Sequence, residues 1–379
     1  MFIYLDHAAT TPLHPEVKQA MLPYFDQQFG NPSSLHQFGR EARAGIEQSR
    51  RLVAEALQVK PQQIIFTSGG TEADNLAIIG MAQAQAAIGK KHIITSTIEH
   101  HAVLDACHHL EKIGFKVTYI PVDHTGKVDP FHIEQAITSD TALISIMWAN
   151  NETGVLQPIA EIGQIASQHQ IPFHSDAVQA IGMVELDLAS MHVDLLTISA
   201  HKINGPKGVG ALYLKDNLNW SPRQFGGTQE RRRRPGTENV SGIVGFGKAI
   251  ELASQFRADH IKQMSRLRDA FLDQLEVPYE VNGDLNQSLS HILNLSFPGM
   301  QTEVMLMNLD LAGIACASGS ACTSGTLEVS HVLKAMKLDE ERIQTAIRFS
   351  FGWGTTQEQL LITAKEISKI YQRLITNVC

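Results

Sequence analysis

The chain has 379 residues, 43% hydrophobic and 18% charged, with a formal net charge of −8. That length exceeds what one compact core usually holds and the composition is that of a globular chain with ample core, so two domains, or a large one with a smaller satellite, are expected. The acidic balance argues against a chain that coats nucleic acid or a membrane surface; the only strong basic run is Arg231-Arg232-Arg233-Arg234.

The start, Met1 to His7, has no basic stretch before an apolar one and meets an acid and a histidine at once. No apolar run reaches bilayer length, so no membrane association is expected and the cytoplasm is the expected compartment. Short apolar strands are then predicted at Ile64–Thr67, His92–Ser96, Lys116–Ile120, Ala142–Met147, Pro172–Asp176, Asp194–Ser199 and Gly210–Leu214, with helical segments between them, one opening at Thr71 and one near His100. This alternation predicts an α/β domain with a mostly parallel seven-stranded sheet buried on both faces. A helix-rich stretch from about Gly242 to Leu275 reads as a bridge to a smaller α+β domain holding strands at Ile292–Ser296 and Ile347–Ser350. The division expected is a large domain over 14–255 and a small one formed by 1–13 and 256–379.

In parallel sheets ligands bind at the carboxyl ends of the strands, so the polar residues just beyond each strand carry the chemistry. Ser68-Gly69-Gly70-Thr71-Glu72 joins a strand to a helix, and glycines at a helix N-terminus suit a phosphate; an ordinary cap by Ser68 or Thr71 is the alternative. His174-Ser175-Asp176 puts a carboxylate at a strand end, where a lone aspartate reads equally as a cap. Ser199-Ala200-His201-Lys202 ends the next strand. A lysine buried there as a free ammonium is costly, and Schiff-base formation removes the charge. Taken singly, Lys202 could be an exposed lysine; a phosphate cradle, an acid and a lysine in order on one sheet point instead to pyridoxal 5′-phosphate (PLP) chemistry, in which an acid beside the pyridine nitrogen keeps it protonated. His100 and His101, with His108 and His109, could form a solvated helix face; no HExxH pattern accompanies them, and no metal is expected.

These segments resemble the fold-type I PLP enzymes of the class-V aminotransferase branch, specifically the cysteine desulfurases of the NifS/IscS kind. The resemblance covers essentially the whole chain, through Tyr4-Leu5-Asp6-His7-Ala8-Ala9-Thr10-Thr11-Pro12, Gly30-Asn31-Pro32-Ser33-Ser34, Thr67 to Asn75, Glu99-His100-His101-Ala102-Val103, Asn150 to Gly154, Asp176 to Gln179, Ser199 to Lys202 and Arg234 to Asn239. It implies that Lys202 carries the cofactor, His100 stacks on its ring and shuttles protons, and Asp176 pairs with the pyridine nitrogen. It implies further that Gln179 and Asn151 contact the phenolic-oxygen side and the substrate, and that Gly70, Thr71, Ser199 and His201 hold the phosphate. Thr237 would reach the cofactor of the partner subunit in a homodimer.

Of the four cysteines, Cys107, Cys316, Cys322 and Cys379, none forms a CxxC pair, so neither a structural zinc nor a disulfide framework is expected. Ala315 to Ser324 is rich in small residues and reads as a loop free to move. Composition favours Cys322 there as the reactive thiol, and the Ser-Gly-Ser-Ala-Cys-Thr-Ser match implies the same, marking the group I enzymes that hand sulfur to protein acceptors. Cys316 reads as the end of a packed element, and Cys107 and Cys379 as bystanders. Arg348, on an apolar strand, matches the arginine that grips the substrate carboxylate.

The expected reaction takes sulfur from L-cysteine, leaves L-alanine and a persulfide on Cys322, and serves an iron–sulfur scaffold or a tRNA-thiolating enzyme, without direct nucleic-acid binding. A selenocysteine lyase and a catalytically silent maturation scaffold are the alternatives. The chain stops soon after its last helix, whereas relatives that dock a cluster scaffold often carry a longer tail, which keeps tRNA thiolation open. The run Arg231–Arg234 has more arginines than the resembling segment and reads as a solvated loop near the dimer interface, or as an attractor of an anionic partner. Gly352-Trp353-Gly354 also departs from the pattern.

Overall fold

The computed structural model describes residues 2–319 and 329–376. Ile3–Tyr4 forms β1. The expected central strands are β2 (Ile64–Thr67), β3 (His92–Ser96), β4 (Lys116–Ile120), β5 (Thr141–Ser145), β6 (Phe173–Asp176), β7 (Leu195–Ser199) and β8 (Gly210–Leu214). They make one seven-stranded sheet in the order β2-β8-β7-β6-β5-β3-β4. β4, β3, β5, β6 and β7 pair in parallel, and β8 runs antiparallel to both its neighbours. β2, β3 and β5 to β8 are buried along their whole lengths, as expected for a sheet covered on both faces.

β5 and the strand read at Ile347–Ser350 each start one residue earlier than read, at Thr141 and Ala346, and three further strand boundaries differ from the sequence reading for local reasons. β5 ends at Ser145 because the Met147 N–H turns to the Glu99 carboxylate, at 3.0 and 3.1 Å, instead of to a neighbouring strand. β6 starts after Pro172, which has no N–H to give to a ladder. β7 starts after Asp194, whose carboxylate accepts from Phe173 N at 3.1 Å.

The bridge is a single 34-residue helix, Val240–Asp273, opened by Asn239, whose side chain accepts from Gly242 N at 3.1 Å. It carries the chain across residues 255/256 without a break. Beyond it, β9 (Glu280–Val281), β10 (Ile292–Ser296) and β12 (Ala346–Ser350) form an antiparallel sheet, and β11 (Ile314–Ala315) pairs in parallel with β1. The N-terminal segment therefore lies along the C-terminal part of the chain, with Asp6 bridging to Ser350. That route leads Ala8 and Ala9 over the carboxyl ends of β6 and β7.

Candidate active site

The parallel strands all end on one rim, and a cavity of about 370 Å³ opens there. Its wall includes Gly70, Thr71, His100, Asn151, Asp176, Gln179, Ser199, His201, Lys202 and Arg348, ten of the residues singled out in the sequence.

β2 delivers the chain to Gly69, whose φ of 156° lies at the edge of the region that glycine favours, and the helix Gly70–Ala86 starts at once. Neither Ser68 nor Thr71 caps it: Gly69 is the N-cap residue, without a capping side chain. The first-turn N–H groups stay available to an anion. Gly70 packs so close to Val178 that a Cβ would lie 2.9 Å from the valine Cγ2. Ser199, at the end of β7, is 1% exposed, and its hydroxyl has no hydrogen-bond partner among the described residues.

Asp176 closes β6 and is buried; one oxygen accepts from Val178 N at 2.9 Å. Burial lifts its pKa to about 6, against the opposing pull of that N–H and of the Lys202 charge. Lys202 stands one short 3₁₀ turn beyond β7 and donates to the carbonyls of Ala8 and, at 2.8 Å, Ala9. Gln179 also donates to Ala8 O, at 2.9 Å. The N-terminal segment thus satisfies the lysine before any ligand does.

His100 is the N-cap of the helix His101–Lys112, its Nδ1 accepting from Ala102 N at 3.1 Å. With Nδ1 an acceptor, the ring proton sits on Nε2. Its ring borders the cavity and keeps solvent access, while the surrounding walls and then Lys202 push its pKa down to about 4. His201 is held near Thr10 Oγ1 at 3.2 Å and is pushed to about 4 by burial and then by Lys202. Arg348 is 4% exposed and donates to Asn151 O at 2.9 Å and to Asp6 Oδ1 at 2.8 Å.

Thr237 is exposed and outside this cavity. Cys322 and Cys379 lie outside the described residues; Gly319 and Val329, which flank the segment holding Cys322, line the cavity. Cys107 is buried, and burial pushes its thiol up to about 12. Cys316 follows β11 and packs against the core; burial raises its thiol as well. Among the described residues no group of three or more His, Cys, Asp or Glu is placed to hold a metal, and no helix is long and apolar enough to cross a membrane.

Sequence reasoning gave no role to Asp6, Asp74, Glu152 or His331. Glu152 is buried, accepts from the Ser330 hydroxyl, and leaves no room for a Cβ at Gly319. The His331 ring packs against that of His101, tilted by 55° with centroids 4.9 Å apart, and shares the cavity wall. The arginine run is also less solvated than expected. Arg234 pairs with Glu72 at 2.8 Å, and Arg231 and Arg233 each donate to Gln62 O at 3.2 Å. The turn is held by Glu230, which is buried and takes two 2.7 Å hydrogen bonds from Arg50, and Glu230, Arg231 and Arg232 all have φ between 42° and 65°.

Residues 3–362 match the model of the family described as aminotransferase class-V. The chain is 50% identical to the putative cysteine desulfurase IscS 1 of Bacillus subtilis over 376 residues, covering 98% of this chain and 99% of that protein. It is 49% identical to the cysteine desulfurase IscS of Dictyoglomus turgidum, covering 99% and 95%. The solved structure of a NifS-like protein superposes with a TM-score of 0.93 at 37% identity, covering 99% of this chain and all of the other. The chain belongs to the class-V aminotransferase family, a family of PLP enzymes. Within it, the chain is a PLP-dependent cysteine desulfurase of the IscS/NifS kind.

Proposed function

We propose that the strand-end cavity is where this desulfurase holds PLP, with Lys202 as its covalent anchor and Cys322 as the thiol that receives the sulfur of L-cysteine. The observation that carries the reading is the convergence of four unlike groups on one cavity: an uncapped helix start at Gly70–Thr71, the unpartnered Ser199 hydroxyl, buried Asp176 and Lys202. They fit the cofactor group by group. The helix N-terminus, Ser199 and His201 suit its phosphate, Asp176 suits its pyridine nitrogen, and Gln179 and Asn151 suit its phenolic side. When bound, PLP supplies an electron sink for the pair released at the substrate Cα.

The chain's own residues do the rest. Arg348 holds the substrate carboxylate through its guanidinium fork. Lys202 Nζ and His100 Nε2 move protons at the substrate carbons, and neutral His100 is suited to stack on a ring. The Cys322 thiolate attacks the substrate sulfur; an S–S bond forms, the Cβ–S bond breaks, and the carbon gains a proton. Cysteine and a thiol become alanine and a persulfide, so no external oxidant enters. A free thiol titrates at ~8.5, and lowering it at the moment of attack favours the step. Thr237, exposed on this protomer, is assigned to the partner's cofactor in a homodimer. The small domain is read as 1–13 with 256–379, a division supported by the β1–β11 pairing. The persulfide passes to an iron–sulfur scaffold or a tRNA-thiolating enzyme in the cytoplasm, without direct nucleic-acid binding.

A Cys322→Ala variant tests the assignment: it keeps the visible absorbance of bound PLP and forms no persulfide from cysteine. Normal persulfide on that variant defeats it.

A further inference from the structure

Asp74 lines the same cavity as Asp176 and leads into a polar layer that the reaction above leaves unused. Asp74, in the Gly70–Ala86 helix, is 1% exposed, and its Oδ1 has no hydrogen-bond partner among the described residues. His174 Nε2 lies 3.6 Å from that oxygen and 3.1 Å from Thr197 Oγ1, while His174 Nδ1 lies 2.8 Å from Ser145 Oγ. The Thr197 hydroxyl also acts on the Asp74 carboxyl, favouring its charged form. His174 and Asp176 stand two apart on β6, hence on one face, and the register sets Asp176 opposite Thr197 on β7. Ser145, His174, Thr197 and Asp74 therefore form one buried chain that ends beside the Asp176 carboxyl.

Burial and the Asp176 charge disfavour a charge on Asp74, and the Thr197 hydroxyl alone favours one; burial holds His174 neutral, with its pKa pushed down to about 3. Lys202 acts on Asp176, not on Asp74. An ionised Asp74 would keep a buried charged oxygen unpaired beside a like charge; two carboxyls in one such site resolve by one keeping its proton.

We propose that Asp74 is a positioning residue kept as the neutral carboxylic acid, which leaves Asp176 as the anion of the pair, and that the Ser145–His174–Thr197 chain is polarised to match. With the proton on Asp74, its O–H donates to Thr197 Oγ1, Thr197 donates to His174 Nε2, and His174 Nδ1–H donates to Ser145. With Asp74 ionised, every donor and acceptor in the chain reverses, and the His174 proton moves to Nε2. The tautomer of His174 thus reports the charge on Asp74. The inference rests on the cofactor reading only for what Asp176 pairs with; the protonation pattern belongs to the protein without cofactor.

The test uses cofactor-free full-length protein at pH 7.5. In infrared difference spectra, wild type minus Asp74→Asn is expected to show a protonated-carboxyl C=O band that shifts in D₂O, and wild type minus Asp176→Asn to show carboxylate bands. Carboxylate bands from Asp74, or an acid band from Asp176, overturn the proposal. Should a variant fail to fold, ¹⁵N-histidine NMR of the wild type, with His174 assigned through His174→Gln, gives an independent reading: an Nδ1–H tautomer supports the proposal and an Nε2–H tautomer overturns it. Failure of the wild type to take up PLP would defeat the cofactor reading and leave these results untouched.

Discussion

Arg348 Nη2 lies 2.8 Å from Oδ1 of Asp6, a residue 342 positions away in the chain. The arginine assigned to the substrate carboxylate is thus held by a protein carboxylate, while its Nε, buried, has no partner among the described residues. Asp6 fixes the guanidinium plane and keeps the charge paired, and the substrate carboxylate adds to that geometry or displaces Asp6.

From this follows the effect of Arg348→Lys. A lysine keeps the charge and loses the planar fork. Hydrogen bonds to charged groups contribute about 1.5–3 kcal/mol each. KM for cysteine should therefore rise by at least about tenfold, with bound PLP absorbance retained. An unchanged KM would remove Arg348 from substrate binding.

Ser199→Ala separates a cofactor contact from a structural one. The hydroxyl is buried and unpartnered, so its removal should leave the melting temperature of the cofactor-free protein unchanged or slightly raised. The same change should weaken PLP binding by at least about tenfold, read by titration of the visible band, because one hydrogen bond to a charged phosphate is lost. A destabilised apo form with normal PLP affinity would mean that the hydroxyl serves the fold.

Stability should peak near neutral pH. Burial lowers His7 and His201 to about 4, His174 and His291 to about 3, and lowers His92 and His260 as well. The unfolded chain takes up these protons from about pH 6.5 downward and the native state does not, so stability falls as pH drops from there toward 4. Burial raises Glu99 to about 8 and Asp176 to about 6, and raises Asp74 too, so the native state holds these protons above the unfolded values. That contribution is present at low pH and is lost as pH rises through the native values. The lowered buried histidines outnumber the raised carboxyls, Glu152 included, below about pH 6.5, and the carboxyls dominate above it, so denaturant midpoints of the cofactor-free protein should peak at about that pH. A midpoint that is flat from pH 4.5 to 6.5 contradicts the assigned burial.

Much of the site was legible because a parallel sheet gathers strand-end residues that are far apart in sequence. Gly70, Thr71, His100, Asp176 and Lys202 each stand at or beyond the end of a strand, and each lines the cavity. Lys202 drew notice as a lysine at a strand end; that backbone carbonyls of Ala8 and Ala9 would receive it was invisible, since only the return of the N-terminal segment puts them there. Asp6 and Asp74 escaped notice for the same reason, as their roles depend on contacts with Arg348 and with β6 and β7. The capping alternative at Thr71 was decided by one backbone position, because the helix begins a residue before it. The arginine run looked solvated in composition, but the buried Arg50–Glu230 pair, 180 residues apart, folds it against the sheet edge.

The central claim, that Lys202 carries the cofactor, is tested most directly by borohydride reduction of PLP-loaded protein followed by peptide mass mapping. The reduced cofactor should be found on the peptide containing Lys202 and be absent from Lys202→Ala treated in the same way. An adduct on another lysine, or a Lys202→Ala variant that fixes the cofactor as the wild type does, would contradict it.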